Sequence, residues 1–325
     1  METAKEIQVQ EKSDIYLFMS KYGAAVVFAI LIIFNAFYTD NFFTINTFLL
    51  LMKQTAGLSF LAVGMTMVLS TGGIDISVGS LMAFCGVIAG KTLHNYPDAN
   101  VWLVLLMALA VCCIIGLFNG LMISKVGIPP IILTLVMMKV LSGAAIVIAN
   151  QNVFSLSFSK ELNWLCFYKV GGVVPIQGVF LAILIPIAYY LVKMTKFGKY
   201  VEAIGENSKA AHLSGVDTSK VITLVYVLSA LMAGFCSIIT FTRTIAVDPN
   251  ELGVGFELNA IAAVAIGGTS MTGGKSNLIG SFAGAFVITL LSMTVSMNNI
   301  PFGIASVLKM IVLIAAFAVQ RKRSS

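Results

Sequence analysis

Residues 101–124 read VWLVLLMALAVCCIIGLFNGLMIS and contain no Asp, Glu, Lys or Arg. A helix needs about 20 such residues to cross about 30 Å of hydrocarbon. The rest of the chain has the same character, because 58% of its 325 residues are hydrophobic and only 10% are charged. A soluble domain carries about 25% charged residues. With a mean hydropathy of +0.97, the sequence predicts an integral membrane protein.

Ten apolar segments divide the chain, and the strict alternation of a membrane β-barrel strand is absent. They lie at residues 22–38, 46–70, 74–90, 101–124, 129–149, 173–192, 221–242, 257–269, 278–297 and 302–320. We predict an all-α, polytopic protein with about ten transmembrane helices. Residues 1–21 are expected to be a cytoplasmic N-terminal segment, 22–320 a single transmembrane domain and 321–325 a basic tail. No small-residue cleavage signal follows the first segment, which is therefore expected to be a retained helix.

The positions of the twenty Lys and Arg residues predict the orientation. With the N-terminus in the cytoplasm, four of them fall outside and three within segments, which leaves thirteen inside. The outside residues are Lys91, Lys160, Lys169 and Arg243, and those within segments are Lys53, Lys139 and Lys309. This is the positive-inside bias. We expect a bacterial plasma or inner membrane protein with both termini cytoplasmic, and we assign its net charge of +6 to this bias rather than to a nucleic-acid partner.

The stretch GGTSMTGGKS at residues 267–276 resembles an ATP-binding loop, which reads G-x-x-x-x-G-K-[ST]. Here an extra glycine, Gly274, separates Gly273 from Lys275, so the spacing is wrong by one residue. A phosphate loop also requires a preceding strand, whereas residues 257–269 are an apolar segment. We expect a tight cytoplasmic turn in which glycine supplies positive φ angles.

The stretch TGGIDISVGS at residues 71–80 places Asp75 close to the hydrocarbon. A carboxylate at bilayer depth is unfavourable by about 2.5–3.5 kcal/mol, so it should face protein or a wet cavity. Alternatively, Asp75 caps the next helix and accepts from the N–H groups of Ser77 and Val78. The two roles are compatible.

The third and eighth segments are short and adjoin these two Gly-rich stretches. They are the third members of a first five and a second five segments. Because five is odd, the second half would enter the membrane upside down. Paired, Gly-interrupted segments of this kind are typical of a transport path between inverted repeats. We expect a 5+5 inverted repeat.

The cytoplasmic loop 193–220 is too polar to enter lipid. Asn207 is a good N-cap for a short helix over 208–214, and Gly215 suits the C′ position. Such a helix is marginal alone in water, so it should dock against another surface. Small residues, Gly205, Ala210 and Ala211, would allow that surface to come close. An ordinary surface turn is the alternative.

Three stretches resemble the permease subunit of ATP-binding-cassette importers of the ribose and simple-sugar type. They are TGGIDISVGS, GKYVEAIGENSKAAHLSGV, and GVGFELNAIAAVAIGGTSMTGGKSNLIGSFAGA at 253–285. The resemblance covers most of the chain from about residue 40. It implies a type II-like importer fold, a second permease subunit, two cytoplasmic ATP-binding subunits and an extracytoplasmic solute-binding protein, with no cofactor of its own.

The resemblance also implies functional residues. The segment that couples to the ATPase would include Glu202, Gly205, Glu206, Asn207, Ala210, Ala211, Leu213 and Gly215. The translocation path or its gate would involve Gly72, Gly73, Asp75, Ser77, Asn119, Asn259, Gly267 and Gly268. Lys139 departs from the family pattern, in which the basic residue is expected a few positions later. It could pair with a helix C-terminal carbonyl or snorkel through a groove.

A sugar would call for amides and hydroxyls along the path. Polar candidates within the apolar segments are Gln54, Thr66, Asn119, Thr134 and Asn259, each of which could instead make an interhelical hydrogen bond. A secondary transporter driven by protons or sodium is the alternative function, although carboxylates and His deep in the spans are scarce. A membrane enzyme would need a nucleophile and base or a metal cluster, and no such set converges.

Overall fold

A computed structural model of the chain describes residues 26–301 together with 303, 304, 307 and 310. The predicted N-terminal segment 1–21 and basic tail 321–325 lie outside the described residues. So does most of the tenth apolar segment, 302–320. The nine remaining segments each contain a helix, while the number ten stays a prediction.

The described chain is built almost entirely of helices. Their bounds are α1 Val26–Tyr38, α2 Ile45–Ser70, α3 Val78–Asn95, α4 Val101–Leu121, α5 Pro130–Ala149, α6 Lys160–Phe167, α7 Ile176–Tyr189, α8 Lys196–Leu213, α9 Thr218–Thr244, α10 Phe256–Ile266 and α11 Leu278–Met297. Single π-helical turns, Met122–Val126 and Tyr190–Met194, extend α4 and α7. By length and composition, six helices of the described part of the chain could cross a membrane: α2, α4, α5, α7, α9 and α11. The chain is thus a polytopic helical membrane protein.

Local sequence sets many helix starts. Asn100 and Asn277 cap α4 and α11, because their side chains accept from the N–H groups of Leu103 and Gly280. Thr44 caps α2 in the same way. These side chains satisfy N–H groups that have no partner inside the helix.

Helices α2 and α9 form the centre of the bundle, and every residue of α2 from Thr55 to Ser70 is buried. The two helices run antiparallel, since Gly57 lies beside Thr240 whereas Gly64 lies beside Ser229. A Cβ atom on Gly64 would be 3.0 Å from the Cα of Ser229. Small residues allow this close packing, which is the main attraction between helices in lipid.

Four other helices pack on this centre in matching pairs. Helix α4 packs against α9, and α11 packs against α2. Likewise α3 contacts α9 and α4, while α10 contacts α2 and α11. Exchanging α2, α3 and α4 with α9, α10 and α11 therefore leaves this pattern of neighbours unchanged.

Short strands close one end of the bundle. β1, Phe154–Ser155, pairs antiparallel with β4, Ala246–Val247. β2, Lys169–Val170, forms a hairpin with β3, Val174–Pro175. The β1–β4 pair joins two loops that the Lys/Arg distribution assigns to the same side. The sequence did not predict these strands or α6, because two-residue strands carry no periodic signal.

Candidate functional site

The first Gly-rich loop, residues 71–77, encloses a buried carboxylate. Asp75 is 2% exposed. Its Oδ1 accepts from the Ser77 N–H at 3.0 Å and from the Ser77 hydroxyl at 2.6 Å. Its Oδ2 accepts from the Ser229 hydroxyl of α9 at 3.2 Å. The carboxylate thus faces protein, as expected for an acid at this depth.

The expectation that Asp75 caps α3 needs correction. The N-cap position of α3 is Ser77, two residues after Asp75. The bond from the Ser77 N–H to Asp75 is therefore a local turn that precedes the helix. Of the two expected N–H donors, the bond from Ser77 is present at 3.0 Å, while Val78 is already the first residue of α3.

Two further polar side chains surround this carboxylate, and we call Asp75, Ser77, Asn119, Tyr226 and Ser229 the Asp75 cluster. Asn119 Nδ2 donates to the Ser77 hydroxyl at 3.5 Å. Within the described residues, the Asn119 Oδ1 and the Tyr226 hydroxyl are buried without a hydrogen-bond partner. The cluster therefore retains unused hydrogen-bonding capacity inside an apolar bundle.

Glycine at position 73 makes room for this cluster. A Cβ atom on Gly73 would be 2.6 Å from the Tyr226 hydroxyl. Gly72 adopts φ +82°, a conformation that other residues rarely adopt. Tyr226 and Ser229 were missed by the sequence analysis. Their three-residue spacing on α9 is visible in the sequence, but nothing local shows that this face meets Asp75.

Helix α10 is short because turns, rather than a further helical segment, precede it. Its 11 residues span about 16 Å, roughly half of the hydrocarbon thickness. The run of turns that precedes it, residues 249–255, lies along the glycines of α3. A Cβ on Gly86 would be 2.3 Å from Leu252 Cδ2, and one on Gly79 would be 2.5 Å from the Gly253 oxygen. Non-helical backbone at membrane depth is tolerated where protein covers it.

Asn259 lies in the first turn of α10 and is partly exposed. The preceding residues Gly253 and Glu257 contact Gly79 at the start of α3, next to the Asp75 cluster. By contrast, Gly267 and Gly268 lie at the other end of α10. A Cβ on Gly267 would be 2.4 Å from the Gly280 carbonyl carbon, so this glycine serves the packing of α10 on α11.

Helix α8 contains the predicted short helix at its end. Asn207 has extended backbone angles, φ −159° and ψ 98°, and separates residues 196–206 from 208–213. Its Oδ1 accepts from the Ala210 N–H at 3.0 Å. Gly215, at φ +87°, follows the C-cap Ser214. The predicted cap and C′ glycine are confirmed, and we call residues 206–215 the α8 tip.

The expected roles of the small residues in α8 are corrected by the structure. Ala211 is 6% exposed and packs into the chain's own core. A Cβ on Gly205 would be 1.8 Å from the Ser70 oxygen and 2.3 Å from the Gly274 nitrogen. Both residues thus approach this chain rather than a partner. Every other residue of the tip is exposed, including the predicted coupling residues Glu206, Asn207, Ala210, Leu213 and Gly215.

Glu202 lies one turn before Gly205 and joins three parts of the chain. Its Oε1 accepts from the Lys193 ammonium at 2.7 Å, from the Ser276 N–H at 3.0 Å and from the Ser276 hydroxyl. Burial raises the pKa of Glu202, but these hydrogen bonds and the Lys193 charge lower it more, so it lies below its usual value. Glu202 is therefore ionised at neutral pH.

The GGTSMTGGKS stretch belongs to the second Gly-rich loop, residues 267–277, which connects two helices, α10 and α11. Gly273 and Gly274 have φ angles of +97° and +88°. A Cβ on Gly273 would be 2.6 Å from the Gly205 oxygen. The predicted tight turn with positive φ angles is confirmed. Because its glycines carry no side chains, the backbone of α8 can approach it closely.

The other polar candidates differ in their surroundings. Thr66 donates to Ala62 O at 2.6 Å and to Ser281 Oγ of α11 at 2.8 Å, which is the packing alternative. Thr134 donates to Ile74 O of the first Gly-rich loop at 3.2 Å. Lys139, midway along α5, is exposed, and Gln54 is partly exposed.

Comparison with known proteins identifies the family. Residues 47–317 match the family model described as branched-chain amino acid transport system / permease component. The chain is 33% identical over 287 residues to the ribose import permease protein of Escherichia coli, covering 88% of each chain. It is 37% identical to the fructose import permease protein of Bifidobacterium longum, covering 75% of this chain and 69% of the relative. The galactofuranose transporter permease protein of Escherichia coli is 34% identical, with 84% and 79% covered.

No solved structure matches the chain. The family model spans most of the residues, and it includes both Gly-rich loops, α8 and the helices that hold them. The chain therefore belongs to the family of branched-chain amino acid transport system permease components.

Proposed function

We propose that this chain is the transmembrane permease subunit of an ATP-binding-cassette importer for a monosaccharide or a similar small polar solute. The observation that carries this proposal is that relatives named for ribose import, fructose import and galactofuranose transport each match more than two thirds of the chain. The family description names branched-chain amino acids. The sugars named for these relatives favour a sugar over an amino acid. The description of the family as one component of a transport system favours an importer with separate ATPase subunits over a single-chain, ion-coupled carrier.

The architecture that we propose has ten transmembrane helices in two inverted halves of five, with both termini in the cytoplasm. The matching neighbours of α2, α3 and α4 and of α9, α10 and α11 support the repeat. The antiparallel α2–α9 pair supports the inversion. The end of α2, the second Gly-rich loop and α8 meet at one end of the bundle, which agrees with the cytoplasmic assignment of that loop and of residues 193–220.

A second permease subunit is proposed to complete the translocation path. Lys139 is exposed in the middle of α5, with the exposed apolar residues Val136 and Val140 beside it. A Lys at the bilayer centre is unfavourable in lipid and normally faces protein or a water-filled cavity. The α5 face is therefore better suited to a neighbouring subunit or to the path than to lipid.

The proposed path runs past the Asp75 cluster and the adjoining starts of α3 and α10. Residues Gly72, Gly73, Asp75, Ser77, Asn119 and Asn259 belong to this region, whereas Gly267 and Gly268 would act through packing at its cytoplasmic end. The Asn119 Oδ1 and the Tyr226 hydroxyl have no hydrogen-bond partner among the residues that the structure describes, which supports a polar role. Neutral amides and hydroxyls suit a solute rich in hydroxyl groups.

The α8 tip of each permease subunit is proposed to dock on one of two cytoplasmic ATP-binding subunits, while an extracytoplasmic solute-binding protein delivers the sugar. Leu213 is 86% exposed at the tip. Together with Ala210 it offers a small apolar surface for a partner. Glu202, Gly205 and Ala211 contribute to coupling from the inner side of α8.

Reconstitution of the purified complex in sealed liposomes tests this function. Radiolabelled D-ribose, D-fructose and leucine are supplied with the binding protein outside and ATP inside. ATP-dependent uptake of a sugar that survives a proton and sodium ionophore is the expected result. Uptake that requires an ion gradient, or uptake of leucine alone, would contradict the proposal.

A further inference from the structure

The part of α8 before Asn207 is hydrogen-bonded to the second Gly-rich loop through charged side chains. Glu202 Oε1 accepts from the Ser276 N–H at 3.0 Å and also from the Ser276 hydroxyl. The Lys193 ammonium donates to Glu202 Oε1 at 2.7 Å and to the Ser276 carbonyl oxygen at 2.7 Å. Hydrogen bonds to ionised groups are stronger than neutral ones. These three residues therefore hold the ends of α7, α8 and the loop together.

A backbone hydrogen bond between the second Gly-rich loop and the end of α2 lies against the same face of α8. The Gly274 N–H donates to the Ser70 oxygen at the end of α2, at 2.9 Å. Gly205 covers this bond so closely that a Cβ would be 1.8 Å from the Ser70 oxygen. Positions 202 and 205 share one helix face because they lie three residues apart.

The second Gly-rich loop is itself tied to α10 and α11. Asn277 Nδ2 donates to the Gly267 oxygen at the end of α10, at 2.7 Å, while Asn277 Oδ1 caps α11. The Asn277 N–H donates to Thr269 Oγ1 at 3.0 Å. The loop is thus an internally bonded piece, and a displacement of its Ser276 end should move the half-length helix α10.

We propose that Lys193, Glu202 and Ser276 form a latch that transmits movement of the α8 tip to α10. They are positioning residues, which act on the path through the loop and contact neither the ATPase nor the solute. This inference rests on the proposed function. With the latch broken, α8 can shift while the loop stays behind, so ATP is hydrolysed with less solute carried.

The latch is tested by the coupling ratio, which is the amount of solute taken up per ATP hydrolysed. In the reconstituted complex, radiolabelled D-ribose uptake and phosphate release are measured together, and ATPase retention is measured by co-purification. Glu202→Gln keeps the size of the side chain but removes its charge. It is expected to lower the uptake per ATP hydrolysed by about three- to tenfold, because charge-assisted bonds that are partly exposed are lost. ATPase retention is expected to stay normal.

Three further variants separate coupling from folding. Ser276→Ala removes one hydroxyl and should lower the ratio in the same direction, even if Glu202→Gln fails to assemble. Lys220→Gln breaks the exposed Lys220–Asp217 ion pair, whose atoms are 2.8 Å apart, and should leave the ratio unchanged. Lys193→Arg should retain most of the wild-type ratio because it keeps the charge.

The outcomes distinguish the latch from the proposed function. An unchanged ratio in both Glu202→Gln and Ser276→Ala would overturn the latch, as would loss of ATPase from a folded Glu202→Gln chain. If the wild-type complex takes up no solute in response to ATP, the importer function itself fails.

Discussion

The two Gly-rich loops have similar compositions but different physical tasks. The first, residues 71–77, lies inside the bundle, where its glycines leave room around Asp75 for the Tyr226 hydroxyl. The second, residues 267–277, lies at the end of the bundle, where its glycines admit the backbone of α8. Glycine therefore marks a close approach in both loops. What approaches, a buried polar cluster or a helix backbone, depends on the packing of distant segments.

Among the replacements that test this comparison, that of Gly205 in the contact with the second loop is expected to have the largest effect on stability. Gly205→Val would place Cβ against the Ser70 oxygen and should destabilise the folded chain by about 3 kcal/mol or more. The measurement is the unfolding free energy, or the Tm, of the purified chain in detergent. Gly143→Val is the matched control, because no described residue lies within 4 Å of a Cβ there. Equal stability of the two variants would refute the close contact of α8 with the second loop.

Replacement of Asp75, in the first loop, is expected to have an intermediate effect on stability. Asp75→Ala leaves three donors without their acceptor, two on Ser77 and one on Ser229, and should lower the unfolding free energy by about 1–3 kcal/mol. Asp75→Asn retains Oδ1 and should remain within about 1 kcal/mol of the wild type. Thermal unfolding followed by retained solubility separates them. If Asn is as destabilising as Ala, the negative charge itself is required.

The pH dependence of stability provides a further test of the contacts between Glu202 and the second loop. Because the folded-state pKa of Glu202 is lowered, its ionised form favours the folded state above its unfolded pKa of about 4.3. That stabilisation is lost as pH falls through the lower folded pKa. The Tm difference between wild type and Glu202→Gln should therefore be largest at neutral pH and shrink as the pH falls below about 4.3. A difference that grows on acidification would contradict the assigned hydrogen bonds.

Leu213→Ala is expected to have the smallest effect on the chain itself. This side chain is 86% exposed, so the unfolding free energy should change by less than about 0.5 kcal/mol. Retention of the ATPase during co-purification should nevertheless fall, since an exposed apolar side chain at the α8 tip is lost. Normal retention would place the docking surface elsewhere. Lys220→Gln, outside the tip, serves as the control.

Sequence reasoning succeeded where the signal is local. The Asn207 cap, the Gly215 C′ position and nine apolar segments depend on residues within a few positions of one another. It failed where the partner is remote in the chain. Gly205 and Ala211 look like surface residues for a partner by size alone, but the rotation of α8 turns them towards Ser70 and the core.

The sequence by itself determined that the chain is helical and embedded in a membrane, because about 20 apolar residues in a row specify a span without reference to any neighbour. It also determined the turns that only glycine readily adopts, since backbone conformation is a local property. Only the tertiary structure decided that Ser229 meets Asp75 and that Glu202 meets Ser276. Such pairs depend on the register and rotation of packed helices, which are set by the fit of many side chains at once.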